Sequence, residues 1–419
     1  MKTFFATYAN GEGNVFDDPE HLFTGCSAQH LVSPAEEEMI PLPEGSKLFV
    51  MPEYSPVGWN NELGKPILLD DNGGSVAVSA FLPPGYTRLL LPGAYYRSAG
   101  SRLPLWGYTA LAWYGGSFYV PAVKVDDNTK WMPDKYDDRG LDELILAKKE
   151  RLKDNRLVDQ LSICASEYHC FAAKNFFMER WECPVPTSPV CNSDCIGCIS
   201  YQRSTDITAS QERIKFVPEP EEIYSLAADH IKNADDPVIS FGQGCEGEPL
   251  VQADAIEKAL KMLKDDYPQA TYNINTNGSD PRAVKRLCRA GLDSIRISLN
   301  STIPEKYTKY YRPLDHTFFD VLKSIKTASE EDVFMTVNLL IFPGISDQEE
   351  EIVELIKLVK THGINLIQMK NLCIDPHIYL ETIGYPDKPG VGILNMMNIL
   401  RGEIPGIRFG YFNRPKTEF

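Results

Sequence analysis

The sequence predicts an α/β protein in which a mostly parallel, helix-covered sheet follows an N-terminal β-rich domain. From residue 184 onward, short apolar runs typical of buried strands alternate with helical patterns, and this βαβα rhythm specifies a parallel sheet. Over residues 1–125, short β-like runs follow one another without intervening helices. The 419 residues, 43% apolar and 24% charged, are enough for two or three globular cores.

Residues 1–125 form the predicted N-terminal β-rich domain, a small sandwich or barrel. Its strands are expected at 47–51, 75–82, 88–91, 108–114 and 117–123. Residues 126–183 are predicted to be a linker and helical bridge, because a charged stretch is followed by three helical patterns between 141 and 181.

Residues 184–375 carry the predicted α/β domain, and residues 376–419 a C-terminal extension. Buried strands are expected at 185–190, 238–242, 271–276, 294–299, 333–342 and 364–370. Helices are expected between them at 220–234, 253–267, 281–291, 317–328 and 346–363. Six strand–helix units fit either an open barrel or a doubly wound sheet, and periodicity does not choose between them.

Charge and segment patterns restrict the partners of the protein. The formal net charge of −16 argues against a nucleic-acid backbone or an anionic membrane as the main partner. The first residues do not have the pattern of a signal peptide, and no apolar run approaches the roughly 18 residues of a spanning helix. We therefore expect a cytoplasmic protein whose ten cysteines are reduced thiols.

The strongest signal is a cysteine loop, Cys191-Asn-Ser-Asp-Cys195-Ile-Gly-Cys198, with the spacing C-x3-C-x2-C after the first expected strand. Three thiolates this close can hold three corners of a [4Fe–4S] cluster and leave one iron open to another ligand. A structural zinc site would need four ligands, usually from two C-x2-C pairs, and no second pair follows. We therefore predict Cys191, Cys195 and Cys198 as metal ligands, with zinc or buried cysteines as the alternatives.

This loop, at the end of the first strand of a βα domain, resembles the radical S-adenosylmethionine (radical SAM) superfamily. The resemblance covers about residues 184–369 and implies a partial (βα)6 TIM-type barrel. It implies that SAM binds the open iron and is cleaved by one electron to a 5′-deoxyadenosyl radical, which abstracts a substrate hydrogen. It also implies an oxygen-sensitive enzyme that receives electrons from a donor such as ferredoxin or flavodoxin.

The segment from Gly242 to Pro249, GQGCEGEP, follows the second expected strand and permits two interpretations. Its glycines match the G-x-G-x-x-G fingerprint, so a nicotinamide-dependent oxidoreductase using the Gly242 loop is the alternative function. Against it, Glu246 and Glu248 would lie near the dinucleotide phosphates. In the second interpretation, residues 246–249 are similar to the Gly-Gly-Glu-Pro segment of the radical SAM family. Gly247 would then let the backbone approach SAM, and Glu248 would bind the amino group of SAM. Glu246 stands where the family usually has its first glycine.

The resemblance assigns further SAM contacts to the ends of the third and fourth strands and to the loop beyond them. These residues are Asn275, Asn277, Ser298, Asn300 and Arg312. They follow the carboxyl ends of parallel strands, where α/β folds bind ligands. Family members often have an aromatic residue before the third cysteine; this chain has Gly197, so adenine contacts are expected from the backbone or from side chains such as Ile196.

The remaining cysteines allow two further hypotheses. Cys245 is predicted to lie near the SAM cleavage site, either as a catalytic hydrogen-atom donor or as a small buried hydrophobe. Cys164, Cys170 and Cys183, with Cys26 as a fourth ligand, raise the question of an auxiliary cluster. The x5 spacing between the first two does not favour a compact site.

The substrate is expected to be an unidentified metabolite or peptide. Its candidate contacts are Lys370, Asn371, Asp375 and His377, which follow the sixth expected strand, and the β-rich domain is expected to cover the mouth of the barrel. A third hypothesis, a non-catalytic iron–sulfur or zinc protein, requires only the cysteine loop.

Overall fold

The computed structural model describes residues 2–69, 74–97, 102–203 and 207–419, and its N-terminal part is built from short strands. In chain order these are β1 (Phe5–Ala9), β2 (Val15–Leu22), β3 (Gly25–Ser27), β4 (His30–Val32), β5 (Met39–Pro41), β6 (Lys47–Met51), β7 (Tyr54–Asn60), β8 (Lys65–Leu68), β9 (Ala77–Phe81), β10 (Tyr86–Arg88), β11 (Leu91–Pro92), β12 (Ala94–Tyr96), β13 (Ala112–Tyr114) and β14 (Ser117–Lys124). The predicted strand at 47–51 coincides with β6, and the run 88–91 is divided between β10 and β11.

These strands pair antiparallel in one large sheet and two small ones. The large sheet has the order β10-β14-β13-β1-β2-β7-β12, with β5 beside β14 and β8 beside β7. The small sheets are β11-β3-β4 and β6-β9. Three helices then lead to the α/β part, namely α1 (Leu141–Arg151), α2 (Arg156–Ser166) and α3 (Phe171–Phe177), each within or close to a predicted helical pattern.

A seven-stranded parallel sheet forms the centre of the second half of the chain. Its strands pair in sequence order: β15 (Glu182–Val185), β16 (Val238–Phe241), β17 (Thr271–Thr276), β18 (Ser294–Leu299), β19 (Phe334–Ile341), β20 (Leu366–Asn371) and β21 (Arg408–Gly410). This order lacks the reversal of a doubly wound sheet. Within the described residues no pairing joins β21 back to β15, so the sheet is open.

Helices connect these strands. They are α4 (Pro220–Asn233), α5 (Ala253–Asp266), α6 (Pro281–Ala290), α7 (Pro304–Tyr311), α8 (Phe318–Glu330), α9 (Glu349–His362), α10 (Pro376–Ile383) and α11 (Ile393–Glu403). The sequence encodes their ends locally: α6 begins where the Asp280 side chain accepts the N–H groups of Arg282 and Ala283, and it ends at Gly291, whose φ is +113°. None of the helices in the described residues is both long and apolar enough to cross a membrane.

The first strand of the sheet lies at residues 182–185, so the prediction of a strand over 185–190 is wrong beyond its first residue. Pro186 and Pro189 have no N–H groups, so this segment cannot supply a regular ladder. The patterns also do not predict β21, α7, α10 or α11, which are short or interrupted by glycine and tyrosine. The predicted strands at 271–276 and 294–299 are confirmed.

The two faces of the parallel sheet have opposite character. The face under the helices carries apolar side chains such as Ile239, Ile274 and Ile297, which are fully buried. The opposite face, called the inner face here, is polar, and paired residues of neighbouring strands align on it, as Ser298 does with Asn338. Among its polar members are Glu182, Ser240, Asn273, Asn275, Ser294, Arg296, Ser298, Thr336, Asn338, Gln368 and Lys370.

The N-terminal part packs against the carboxyl ends of β19 and β20. The Ala28 N–H donates to the Pro343 carbonyl over 2.8 Å, and the Thr87 hydroxyl donates to the Met369 carbonyl over 2.7 Å. The fully buried guanidinium of Arg88 donates to three carbonyls, one on the last residue of β19 (Ile341) and one just after β20 (Leu372). The β-rich part thus lies at the edge of the sheet where ligands bind in parallel α/β folds.

Candidate active site

The cysteine loop, residues 191–198, follows β15 and is held by backbone hydrogen bonds. The Asp194 N–H donates to the Tyr311 carbonyl over 3.0 Å, and the Leu314 N–H donates to the Asn192 carbonyl over 3.0 Å. The loop is therefore paired with the chain that leaves α7, and this pairing fixes the positions of its three cysteines.

The three thiols are partly buried and close enough to affect one another's ionisation. Burial, with a smaller contribution from the Glu248 carboxylate, raises the pKa of Cys191 to about 12. Burial also raises the pKa of Cys195 well above its ordinary value, and the charges of Cys198 and Cys191 add to the rise. Since burial and mutual charge both oppose thiolates, three thiolates here need a compensating positive charge such as that of iron.

The chemistry of this donor set suits a [4Fe–4S] cluster, which three thiolates can hold with one iron left open, whereas a structural zinc ion takes four ligands. In the described ranges, no three His, Cys, Asp or Glu side chains are placed to share one metal ion. Arg213 adds positive charge beside the loop, with its Nη2 atom 3.6 Å from the Cys198 Sγ atom.

Glu246 is a buried carboxylate that joins the ends of β15 and β16. Its Oε2 accepts hydrogen bonds from the Thr187 N–H (2.7 Å), the Thr187 hydroxyl (2.9 Å) and the Ser188 N–H (3.0 Å). Its Oε1 accepts from the N–H groups of Gly242 (2.6 Å) and Gln243 (3.1 Å). These are donors that a dinucleotide pyrophosphate would need from the glycine-rich turn, so the geometry argues against the nicotinamide alternative.

Gly247 lies where this segment crosses the chain entering the cysteine loop. Its N–H donates to the Ser188 carbonyl over 2.7 Å, and the next N–H, of Glu248, donates to the Val190 carbonyl over 2.9 Å. A Cβ atom on Gly247 would lie 1.9 Å from the Val190 carbonyl oxygen and 3.0 Å from the Cys191 nitrogen. The close approach of the two backbones therefore requires glycine.

The Glu248 carboxyl is buried between the ends of β16 and β17. Its Oε2 accepts the Asn277 N–H over 2.9 Å, and its Oε1 accepts the Leu250 N–H over 3.1 Å and the Thr276 hydroxyl. Burial raises its pKa to about 7, although these hydrogen bonds oppose the rise. Glu248 is thus fixed in position and forms no ion pair with the described residues, which suits it to receive an ammonium group.

The two asparagines predicted at the end of the third strand have different surroundings. Asn277 contacts the cysteine loop, because its Nδ2 donates to Asn192 Oδ1 over 2.9 Å and to Ser193 Oγ over 3.2 Å. Asn275 lies inside the sheet and donates to the Phe241 carbonyl over 3.0 Å. The structure therefore brings Asn277, but not Asn275, directly against the cysteine loop.

Ser298 and Asn300 lie at the end of β18. The Ser298 hydroxyl accepts a hydrogen bond from Asn338 Nδ2 over 3.1 Å. Asn300 is buried and its Nδ2 donates to the Tyr379 hydroxyl over 3.3 Å, while its Oδ1 has no partner among the described residues. Asn300 therefore keeps an acceptor free for a ligand.

Arg312 ends α7 in the left-handed conformation, with a φ of +45°. Its side chain is exposed and forms no ion pair within the described part of the chain. Its carbonyl accepts the Asp194 N–H over 3.3 Å, so the backbone of Arg312, and not its guanidinium, contacts the cysteine loop.

An aromatic ring lies beside Gly197, although not from the expected sequence position. The hydroxyl oxygen of Tyr310 would be 2.8 Å from a Cβ atom on Gly197, and the Tyr310 carbonyl accepts the Ile196 N–H over 3.1 Å. Sequence reasoning missed this contact because α7, which carries Tyr310, is not predicted. The tandem tyrosines before Arg312 are the signal that could have indicated it.

The Cys245 thiol lies in the core and packs against Cys164 of α2. This burial favours the interpretation of Cys245 as a small hydrophobe. The Cys170 N–H donates to the Cys164 carbonyl over 2.9 Å, and Cys183 is buried on β15, whereas Cys26 belongs to β3 in the N-terminal part. Cys164 and Cys170 are therefore neighbours, whereas Cys183 and Cys26 lie on separate strands, and no three of these cysteines are among the described groups placed to share one metal ion.

Three of the four substrate candidates contact the N-terminal part. Asn371 Oδ1 accepts the N–H of the last residue of β10 over 2.9 Å, and Asp375 Oδ1 accepts the Tyr54 hydroxyl over 2.5 Å. The His377 ring stacks on a tyrosine of β12 at 3.8 Å between centroids. Lys370, in contrast, lies on the inner face of the sheet.

Sequence reasoning missed the charged and amide groups of the inner face, among them Glu182, Arg296 and Asn338. The alternation of polar residues at 294, 296 and 298 is the signal that could have found them. A strand covered by helices on both faces has a continuous apolar run instead.

The chain is similar to one protein family and to several curated proteins. Residues 185–356 match the family model of the Radical SAM superfamily. A probable GTP 3′,8-cyclase of Pyrobaculum aerophilum is 26% identical over 172 residues, which are 40% of this chain and 53% of that protein. A probable GTP 3′,8-cyclase of Methanosarcina mazei is 35% identical over 142 residues, 33% of this chain and 40% of that protein.

The FeMo cofactor biosynthesis protein NifB of Azotobacter vinelandii is 24% identical over 208 residues, 46% of this chain and 40% of that protein. The chain thus spans at most about half the length of these curated relatives. Among solved structures, Streptococcus suis SuiB bound to S-adenosylmethionine superposes with a TM-score of 0.40 at 14% identity, over 65% of this chain and 61% of that chain. A superposition this loose does not by itself establish a shared fold.

Proposed function

This chain belongs to the radical SAM superfamily, and we propose that it is an enzyme that reductively cleaves SAM and abstracts a hydrogen atom from a small metabolite or a peptide. The observation that carries the proposal is the convergence of three strand ends. The cysteine loop after β15, Glu248 after β16 and Asn277 after β17 are joined by hydrogen bonds and charge within one site.

In this proposal the sequential parallel sheet is a partial barrel, with its inner face toward the substrate. Cys191, Cys195 and Cys198 would hold a [4Fe–4S] cluster, and the excess of buried thiols over nearby cations supports that donor set. When bound, the cluster and SAM would supply a 5′-deoxyadenosyl radical, with the electron coming from a low-potential donor such as ferredoxin or flavodoxin.

The residues of the chain would position SAM and exclude water. Glu248 would accept the ammonium group of SAM, since its carboxyl is fixed by three hydrogen bonds and has no cationic partner in the described ranges. Asn300 would offer its unpartnered Oδ1 to a hydroxyl. The N-terminal part, bound to the loops after β19 and β20, would limit the access of solvent to the radical.

The curated relatives favour a metabolite over a peptide as the substrate. Two of them are named for GTP 3′,8-cyclisation and one for FeMo cofactor biosynthesis, and each of these names refers to small-molecule chemistry.

Anaerobic reconstitution tests the proposal. The protein should bind about four iron and four sulfide per chain and form 5′-deoxyadenosine from SAM with dithionite. Cys195→Ala should lose both properties, because it removes one of three ligands of the cluster. Cys288→Ala, a matched change at a partly buried cysteine of α6, should keep both.

Two outcomes would contradict the proposal. Deoxyadenosine formation that persists in the Cys195→Ala variant would exclude the cluster from the chemistry. A wild-type protein that holds the cluster without cleaving SAM would support the non-catalytic iron–sulfur alternative.

A further inference from the structure

The inner face of the parallel sheet carries two basic side chains and one acidic side chain on β15 to β20. Strands β15 to β20 lie entirely within the described residues, and the ionisable residues on their inner face are Glu182, Arg296 and Lys370. The Glu182 carboxylate is already bound by neutral donors, namely the Ser240 hydroxyl at 2.7 Å and the Asn413 Nδ2 at 2.8 Å. It therefore does not form an ion pair with either cation.

Arg296 has only weak, neutral partners. Its Nη1 donates to Gln368 Oε1 over 3.2 Å and to Asn413 Oδ1 over 3.4 Å, and its buried Nε has no partner among the described residues. Burial lowers the pKa of Arg296 to about 10, and the charge of Glu182 opposes this change. The guanidinium remains a cation at neutral pH and keeps unused donors.

Lys370 is the second cation of this face. It has no hydrogen bond or ion pair within the described ranges, and its Nζ lies 3.7 Å from the ring centroid of Tyr411. Burial lowers its pKa well below the ordinary value, and the neighbouring charge of Arg296 lowers it further. The charges of Glu182 and Asp126 oppose this lowering, but neither carboxylate forms an ion pair with Lys370 within the described residues. Two partly buried cations that lie close together are stabilised further when an anion binds between or beside them.

The surroundings of these cations offer access and a further polar group to a ligand. Arg296 and Lys370 are both partly exposed, so a ligand can reach them. Asn338 lies on the strand between theirs, is 8% exposed, and its Oδ1 has no partner in the described residues. A free acceptor beside two cations suits a molecule that has both an anionic group and a hydroxyl or amine.

We propose that Arg296 and Lys370 bind an oxyanion of the substrate, a carboxylate or a phosphate ester, and that the substrate is therefore an anionic small molecule. This inference rests on the proposed radical SAM function, since it assigns the substrate class of the same site. The guanidinium would give the anion paired hydrogen bonds, and the ammonium would give it a point charge.

Binding of defined probes to the reconstituted, SAM-loaded protein tests the inference. Isothermal titration calorimetry would measure the binding of pyrophosphate and GTP, which carry phosphate groups, and of succinate, which carries carboxylates. Guanosine is the uncharged control for GTP. At least one anion should bind saturably, and its affinity should fall about tenfold or more in Lys370→Met and in Arg296→Gln. Lys370→Arg should keep most of the affinity, and Lys357→Met, at an exposed position of α9, should keep all of it.

Thermal unfolding provides a readout that separates anion binding from a structural role. Lys370→Met removes an unpaired buried charge, so without ligand its unfolding midpoint should equal or exceed that of the wild type. The stabilisation by the bound anion should be lost in this variant, while it persists in Lys357→Met. A ligand-free midpoint several degrees below that of the wild type would assign Lys370 to structure and overturn the inference.

Three further results would also overturn it. The first is that no anion binds at millimolar concentration, and the second is that guanosine binds as tightly as GTP. The third is that the variants lose as much affinity for SAM as for the anion. The last result would assign the cations to the carboxylate of SAM. Anion binding is measured without turnover. A failure to form deoxyadenosine would therefore refute the proposed function, and the anion-binding result could still be interpreted by itself.

Discussion

The site has two halves that differ in how completely their polar groups are bonded. Around the ends of β15 to β17, the polar side chains bind one another; Glu246 alone accepts five hydrogen bonds. Around β18 to β20, Arg296 Nε, Asn300 Oδ1 and Asn338 Oδ1 have no partner among the described residues. The first half is a rigid frame, and the second retains groups that a ligand could satisfy.

This difference indicates how one sheet can serve two tasks. A cluster that stays in the protein can be held by a frame that is complete before ligands bind. Ligands that enter and leave in each cycle, both SAM and the substrate, need groups whose hydrogen bonds form only when they are bound. Changes to the first half should therefore damage the protein itself, whereas changes to the second should affect ligands more than stability.

The largest effect is expected from Gly247→Ala in the bonded half. The new Cβ atom would meet the Val190 carbonyl at 1.9 Å, so the backbone leading to Cys191 must move. We expect loss of most of the iron and a destabilisation of about 3 kcal/mol or more. Iron content and chemical denaturation measure both effects.

Gly402→Ala is the matched control for this change. Gly402 lies in α11, and a Cβ atom there would meet nothing within 4 Å. It should keep its iron and gain about 0.5–1 kcal/mol, because alanine favours a helix more than glycine does. Equal behaviour of the two variants would contradict the close packing assigned to Gly247.

The ionisation of Glu248 should change the affinity of the protein for SAM about tenfold. Its pKa of about 7 means that its charge, and with it the attraction for the ammonium of SAM, develops as the pH rises. The ratio of SAM affinity in the wild type to that in Glu248→Gln should increase about tenfold from about pH 6 to about pH 8. A ratio independent of pH would exclude Glu248 as the partner of the ammonium.

The ionisation of Glu248 lowers the stability of the folded protein as the pH rises when SAM is absent, whereas it raises the affinity for SAM. The unfolded chain releases this proton near 4.5 and the folded chain near 7. The contribution of Glu248 to the free energy of unfolding is therefore present below about 4.5 and is lost as the pH rises through 7.

The smallest effects are expected on the free energy of unfolding when one asparagine in each half is changed to alanine. Asn277→Ala removes hydrogen bonds to Asn192 and Ser193 and should cost about 2 kcal/mol. Asn338→Ala removes one hydrogen bond, to Ser298, and an oxygen without a partner, so it should cost about 1 kcal/mol or less. Urea unfolding without ligands measures both values, and equal costs would remove the distinction between the halves.

The sequence was most informative where structure is local. The strands at 271–276 and 294–299 and the cysteine spacing follow from periodicity and from short motifs. The spacing identifies the cysteine loop as a unit, but it does not indicate the pairing of that loop with residues 310–314, which lie more than a hundred residues away.

Long-range contacts explain most of what the sequence did not reveal. Glu246 is a departure from the family's glycine, and only the folded chain shows that its carboxylate binds N–H groups next to Pro186 and Pro189. Likewise, Arg88 is an ordinary strand residue in the sequence, and its buried contacts with carbonyls of residues 341 and 372 depend on the packing of the N-terminal part against the sheet.

The most direct test of the radical SAM assignment is electron paramagnetic resonance of the dithionite-reduced, reconstituted protein with and without SAM. If Cys191, Cys195 and Cys198 hold a cluster with one iron open, the spectrum should contain one cluster signal that changes shape when SAM is added. The change should be absent in Glu248→Gln at SAM concentrations that saturate the wild type. A cluster signal that SAM leaves unaltered in the wild type would contradict the account.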